Sequence, residues 1–133
     1  MTTRGPLETV ERLIAAINAG HDEEADLLCD DAITVTDPDG GVVSRRDAVH
    51  ALLAKMVGLH AHLELTRPDV RGDSITGIML IGNDYHRKVG VAPLELSWQA
   101  VVQEGKILSF GGTFTEAALE KLRPLREARD SSG

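Results

Sequence analysis

The spacing of apolar residues divides the chain into two parts with different periods. Between residues 7 and 19, Leu7, Val10, Leu13, Ile14 and Ile17 fall on one helical stripe, with Gly5-Pro6 ahead and Gly20 behind. Acidic residues in the first turn (Glu8, Glu11) and a glycine stop complete the prediction of an amphipathic helix. A shorter helix over 22–30, capped by Asp22, would bury Ala25, Leu28 and Cys29. Residues 33–36 read as a brief β-branched strand. Ser44 to Asp47 has the form of a capping box, with Asp in place of Glu. Behind it Val49, Leu52, Leu53, Met56 and Val57 predict a third helix, stopped by Gly58.

The period then falls from helical to alternating. Strands are predicted over 61–71, 74–85, 92–103 and 106–114, with turns at Arg71-Gly72-Asp73, Tyr85-His86-Arg87-Lys88 and Glu104-Gly105. A last polar stretch over 116–129 is helical up to Pro124, and residues 130–133 are expected to fray. Helices followed by a meander predict an α+β fold, with three N-terminal helices on one face of a curved antiparallel sheet. No repeat or linker divides the chain, so one domain is expected over 1–133 with an ordered core at about 6–123. Strands this long twist and curl. Helices laid across the concave side of such a sheet leave a cone-shaped cavity suited to an apolar small molecule.

Composition narrows the partners. A net charge of −7 argues against nucleic acid, because phosphate binding needs a basic face. No apolar run is long enough to span a bilayer, no secretory pattern opens the sequence, and the cytoplasm is the expected location. The single cysteine, Cys29, excludes an internal disulfide and reads as a buried, inert thiol.

Candidate chemistry centres on Val35-Thr36-Asp37-Pro38-Asp39-Gly40-Gly41, where the first strand ends. Locally this is a turn signal. Pro38 also pushes Asp37 into extended backbone and offers no N–H to its carboxylate, which leaves that side chain available at a cavity mouth.

The order of two helices, a strand, a helix and four strands matches the nuclear transport factor 2-like cone. Within that fold the chain resembles the ketosteroid isomerases. The resemblance rests on Ile17-Asn18-Ala19-Gly20, on Asp30-Asp31-Ala32 leading to Asp37-Pro38, and on Glu64-Leu65-Thr66. It continues in Arg87-Lys88, in Val91-Ala92-Pro93-Leu94-Glu95, and in Lys106 to Phe110 with Phe114. It implies that Asp37 is the base moving a proton on an enone, its basicity raised by partial burial. It further implies that Glu95, deep inside and neutral, donates a hydrogen bond to the enolate oxygen. The two-residue excess counted back from Lys106 allows Ser97 to hold that position instead. The family's second donor, a tyrosine, is matched by Leu13. Leu13, Ile17, Leu53, Met56, Ser97, Phe110, Gly112 and Phe114 are the expected substrate-contacting positions.

Two alternatives accompany this reading. Glu64 could pair with Asp37 in an epoxide-opening hydrolase or cyclase of polyether or polyketide type, if its strand face lines the cavity. A non-catalytic binding module would keep the cavity without the donors, which Leu13 favours. No cofactor is expected. The pair His60 and His62 lacks a third ligand other than Glu64, so no metal is expected either. His21, His50 and His86 read as helix-end, helix-surface and hairpin residues. Gly111-Gly112 reads as a place where the strand stays slim, and Trp98, opposite in face to Glu95, as an outward residue in a sheet-to-sheet dimer contact or packed under the C-terminal helix. A homodimer through the outer sheet face is expected.

Overall fold

A computed structural model describes residues 5–132, with side chains through residue 127. Helix α1 (Pro6–Asn18) opens with proline at its first position and buries Val10, Leu13, Ala16 and Ile17. It closes as a Schellman turn. Gly20 takes φ +81°, its N–H reaches the Ile17 carbonyl, and the His21 N–H reaches Ala16. Helix α2 (Asp22–Leu27) is shorter than expected, because Cys29 already begins strand β1 (Cys29–Thr36). The Cys29 thiol is buried and donates to the Ala25 carbonyl, and burial pushes its pKa up to about 11.

A two-residue strand β2 (Val42–Val43), which periodicity did not reveal, folds back on β1. Helix α3 (Arg46–Gly58) follows. The expected capping box does not form: Arg45 is the N-cap, and no side chain caps the helix. Its C-terminal turn passes Gly58 and uses His60 at φ +55°, with His60 and Ala61 N–H groups returning to Val57 and Met56.

Strands β3 (His62–Arg71), β4 (Ser74–Gly82), β5 (Leu94–Gln103) and β6 (Lys106–Phe114) agree closely with the alternating segments. The sheet order is β2-β1-β6-β5-β4-β3. Its one departure from the expected antiparallel meander is β1, which runs parallel to β6. The register of β3 on β4 slips between Thr66 and Asp69, and Arg67 there takes φ +52°. Such a bulge bends a strand and sharpens its twist. Across the bend stands Gly77, whose absent side chain would meet Leu65 at 2.9 Å and the Thr66 carbonyl at 3.0 Å.

The main core lies between the sheet and α1 to α3, uniting Leu13, Ile17, Ile33, Val49, Leu53, Ile75, Met79, Trp98, Ala100 and Phe110. A second apolar cluster joins Val91 and Leu94 to Ala118 and Leu122 of helix α5 (Glu116–Ser132). This helix continues through Pro124 rather than ending there, with Leu122 and Leu125 packed on that cluster either side of the proline. Between β4 and β5 the predicted hairpin is instead a short helix, α4 (Asp84–Lys88). No helix among the described residues is long and apolar enough to cross a membrane.

Candidate functional site: an apolar cavity with two polar corners

Between α1, α3 and the concave face of the sheet lies a cavity of about 330 Å³. Its walls are apolar: Leu13 and Ile14 from α1, Leu52 and Met56 from α3, and Leu63, Ile81, Leu96, Trp98, Phe110 and Phe114 from the sheet. Strand direction decides where polar groups enter. β1, β4 and β6 all run the same way, since β1 is parallel to β6 and both β4 and β6 are antiparallel to β5. Their C-terminal ends therefore meet at one end of the cone. The turn after β1 and helix α4 after β4 bring Asp37, Asp39, Asn83 and His86 to the cavity there, and Lys55 comes from α3.

The first corner is the Asp-Pro turn. Asp37 lines the cavity but is exposed, so the expected partial burial is absent. Nor is its carboxylate unanchored. Pro38 has no N–H, but Asp39 does, and it donates to Asp37 Oδ1 at 3.1 Å in an Asx turn. The backbone closes the same turn, with the Asp37 N–H on the Gly41 carbonyl at 2.7 Å. Asp39, expected only to turn the chain, also reaches Arg126 of α5 at 3.0 Å.

The second corner is α4. Asn83 caps it by accepting the His86 N–H at 2.9 Å. The Asp84 N–H donates to the Leu59 carbonyl, His60 Nδ1 meets Asp84 Oδ2 at 2.6 Å, and Arg87 bonds both Asp84 Oδ1 and the His60 carbonyl. Hydrogen bonds from His60 and Arg87 hold the Asp84 carboxyl below its usual range. His60 is thus tied to this corner, while His62 is exposed at the start of β3. His86 lines the cavity, half-buried, rather than standing on a hairpin. Its Nδ1 is buried without a hydrogen-bond partner among the described residues. Burial first, and the Arg87 charge second, lower its pKa below the usual 6.5.

The remaining expected residues divide cleanly. Leu13, Met56, Phe110, Gly112 and Phe114 line the cavity. Ile17 and Leu53 are buried in the core behind it. Glu95 and Ser97 do not line it. In β5 the buried positions are Leu94, Leu96, Trp98, Ala100 and Val102, and the carboxyl of Glu95 lies on the opposite face with Ser97 and Gln99. Ser97 instead lines a shallow groove on the outer side of the sheet with Thr76, Gln99 and Thr113. Trp98, read as outward, is a cavity wall. Glu64 is likewise exposed on the face opposite Leu63, so it does not join Asp37. Gly111 and Gly112 keep β6 slim for its neighbours: a Cβ at Gly111 would stand 2.3 Å from the Thr36 carbonyl oxygen, and one at Gly112 2.3 Å from that of Ser97.

No family model and no curated protein matches the chain. Solved structures do. An NTF2-like protein of unknown function from Cytophaga hutchinsonii aligns with TM-score 0.71 and 17% identity over 94% of this chain and 98% of its own. SalBIII, an epoxide hydrolase/cyclase-like enzyme in pyran ring formation in the polyether salinomycin, aligns with TM-score 0.71 and 17% identity over 85% and 92%. Rv0760c from Mycobacterium tuberculosis, in complex with estradiol-17beta-hemisuccinate, aligns with TM-score 0.70 and 16% identity over 85% and 96%. The element order, the curved mixed sheet and these likenesses together give the chain the cone-shaped nuclear transport factor 2-like fold.

Proposed function

We propose that the chain binds a fused-ring, largely apolar carbonyl compound in this cavity and that Asp37 moves a proton on it. The observation carrying this reading is a cavity walled by aliphatic and aromatic side chains with a carboxylate at its mouth. In the reaction, the Asp37 carboxylate takes a proton from the carbon between the carbonyl and a β,γ double bond. The electron pair moves into a dienolate, and Asp37 returns the proton to the γ carbon. The product is the conjugated enone, with no net oxidation. Taking a proton from carbon leaves negative charge on the enolate oxygen, so stabilisation of that oxygen has to carry much of the barrier lowering.

The steroid ligand of Rv0760c supports the ligand class by analogy of fold. Glu95 is no longer the donor this reading uses, and the epoxide-opening alternative loses its second acid with Glu64 outside the cavity. Pure binding remains a second reading, favoured by Leu13 at the position of the family's tyrosine and by the Asx turn that engages Asp37. Dimerisation would use the outer sheet face, where Ile78, Leu80 and Val101 are half-buried in the single chain. Asp37→Asn should abolish conversion of a β,γ-unsaturated bicyclic ketone to its conjugated isomer, read by ultraviolet absorbance. Quenching of Trp98, the one tryptophan and a cavity wall, should persist in that variant, and Glu95→Gln should change neither readout. Unchanged turnover in Asp37→Asn would refute the catalytic role; quenching without turnover in the unmutated chain would favour the pure binder.

A further inference from the structure

Of the polar groups at the cavity, most are already engaged. Asp37 Oδ1 accepts the Asp39 N–H, Asp39 Oδ1 holds Arg126, and Asn83 Oδ1 caps α4. Lys55 is exposed. The imidazole of His86 differs from these in burying a nitrogen that has no hydrogen-bond partner among the described residues. It is half-buried, it lines the cavity, and neither ring nitrogen has a hydrogen-bond partner among the described residues.

The two nitrogens are not equivalent. Nδ1 is buried, whereas Nε2 retains accessible surface. A proton on Nδ1 would create a buried N–H with no acceptor, which forfeits its hydrogen bond to water without replacement. A proton on Nε2 leaves the donor at the accessible side. The neutral ring is therefore the Nε2–H tautomer, with its donor on the nitrogen that is not buried. Its lowered pKa keeps the ring neutral at neutral pH, and a neutral imidazole can polarise a carbonyl.

We propose that His86 Nε2–H is the hydrogen-bond donor to the oxygen of the carbonyl compound bound in the cavity. This deepens the function proposed above and rests on it: His86 supplies the enolate-stabilising contact that Glu95, on the other face of β5, does not. The topology suits the pairing. Asp37 and His86 come from the same end of the cone, at the ends of β1 and β4, with β6 and β5 between them. Three strand spacings measure roughly 14 Å along the sheet before its curl. Side chains reaching inward from both corners leave room for a fused ring system, with its oxygen at His86 and its acidic C–H at Asp37. Helix α4 is well placed to hold such a donor. Its backbone is capped by Asn83, and His60, Asp84 and Arg87 fasten it to the end of α3, so the ring is oriented without being used.

The test titrates Trp98 fluorescence with the bicyclic enone 2-octalone and with octalin, the hydrocarbon of the same skeleton. In the unmutated chain both should quench, and the enone should bind more tightly. His86→Leu should weaken enone binding roughly 5- to 10-fold and leave octalin binding unchanged, as expected for one lost hydrogen bond. His86→Gln, which places an amide N–H near the Nε2 position, should restore most of the loss. A measurement without substitution accompanies these: nitrogen-15 NMR of the side chain should show the Nε2–H tautomer of His86, and octalone but not octalin should shift it. Equal enone affinity in the unmutated chain and His86→Leu, or a His86 resonance indifferent to octalone, overturns the inference while leaving the cavity reading intact. Failure of both probes to quench Trp98 overturns the cavity reading, and the His86 proposal with it.

Discussion

Two corners bring polar groups to the same end of the cavity, and they are built in opposite ways. The Asp-Pro corner makes its turn with its own functional side chain, since Asp37 Oδ1 accepts the Asp39 N–H. The α4 corner delegates the work: Asn83 satisfies the helix start, while His60, Asp84 and Arg87 fasten it. A carboxylate already holding a backbone N–H has less to offer a ligand than a ring that its surroundings position but do not bond. Exposure points the same way. Asp37 is open to water, whereas His86 is half-buried with its Nδ1 fully so. A ligand reaching His86 thus meets a donor that lacks competing partners among the described residues.

The largest expected effect comes from breaking the support of the first corner. Gly111 stands beside Thr36, the last residue of β1, at φ +137°, and an added Cβ would lie 2.3 Å from the Thr36 oxygen. Neither backbone can yield without parting β1 from β6, so Gly111→Ala should cost at least about 3 kcal/mol from strain and overlap. Urea denaturation would measure this. Gly41→Ala is the control, because its Cβ would meet nothing nearer than Asp37 Cβ at 3.9 Å.

A smaller effect should follow from undoing the second corner. Asn83→Ala removes the side-chain cap of α4 and should cost about 1 kcal/mol. Because it also frees His86 to turn, enone affinity should fall alongside stability, and a loss of stability with enone affinity intact would show that the cap does not position the ring.

The smallest effect is one of pH. The folded pKa of His86 is lowered, by burial above all, so folding favours the neutral ring. The unfolded chain takes the proton first as pH falls past 6.5. That contribution to stability is therefore complete above this value and lost as pH drops towards the folded pKa. His86→Gln should flatten this part of the stability profile. Asp84 behaves similarly in a lower window, since its depressed carboxyl loses its contribution only below the usual 3.8.

The β5 strand teaches where sequence reading went astray. Leu94, Leu96, Trp98, Ala100 and Val102 alternate with Glu95, Ser97, Gln99 and Gln103. That pattern alone assigns the apolar set to the core and Glu95 to the outside. The resemblance of Ala92-Pro93-Leu94-Glu95 to a family motif argued for the reverse, and the period of two prevailed, because a one-residue shift would have exposed the whole apolar set. Glu64 obeys the same rule beside Leu63 and Leu65. His86 was illegible for a different reason. Asn83-Asp84 is a helix start only if the chain has room to turn there, and the tie from Asp84 to Leu59 and His60 joins residues far apart in sequence.

Local pattern by itself determined the helices α1 and α3, the four long strands, the curl they imply and the apolar character of the enclosed space. These rest on periodicity and on turn residues, which act between near neighbours. Tertiary structure alone decided that β1 lies parallel to β6 and that residues 84–88 coil into a helix. It also decided which acid of the Asp-Pro turn reaches α5 and that His86 buries an Nδ1 with no hydrogen-bond partner among the described residues. Those outcomes depend on contacts between segments distant along the chain, whose energies appear only when the sheet has closed against its helices.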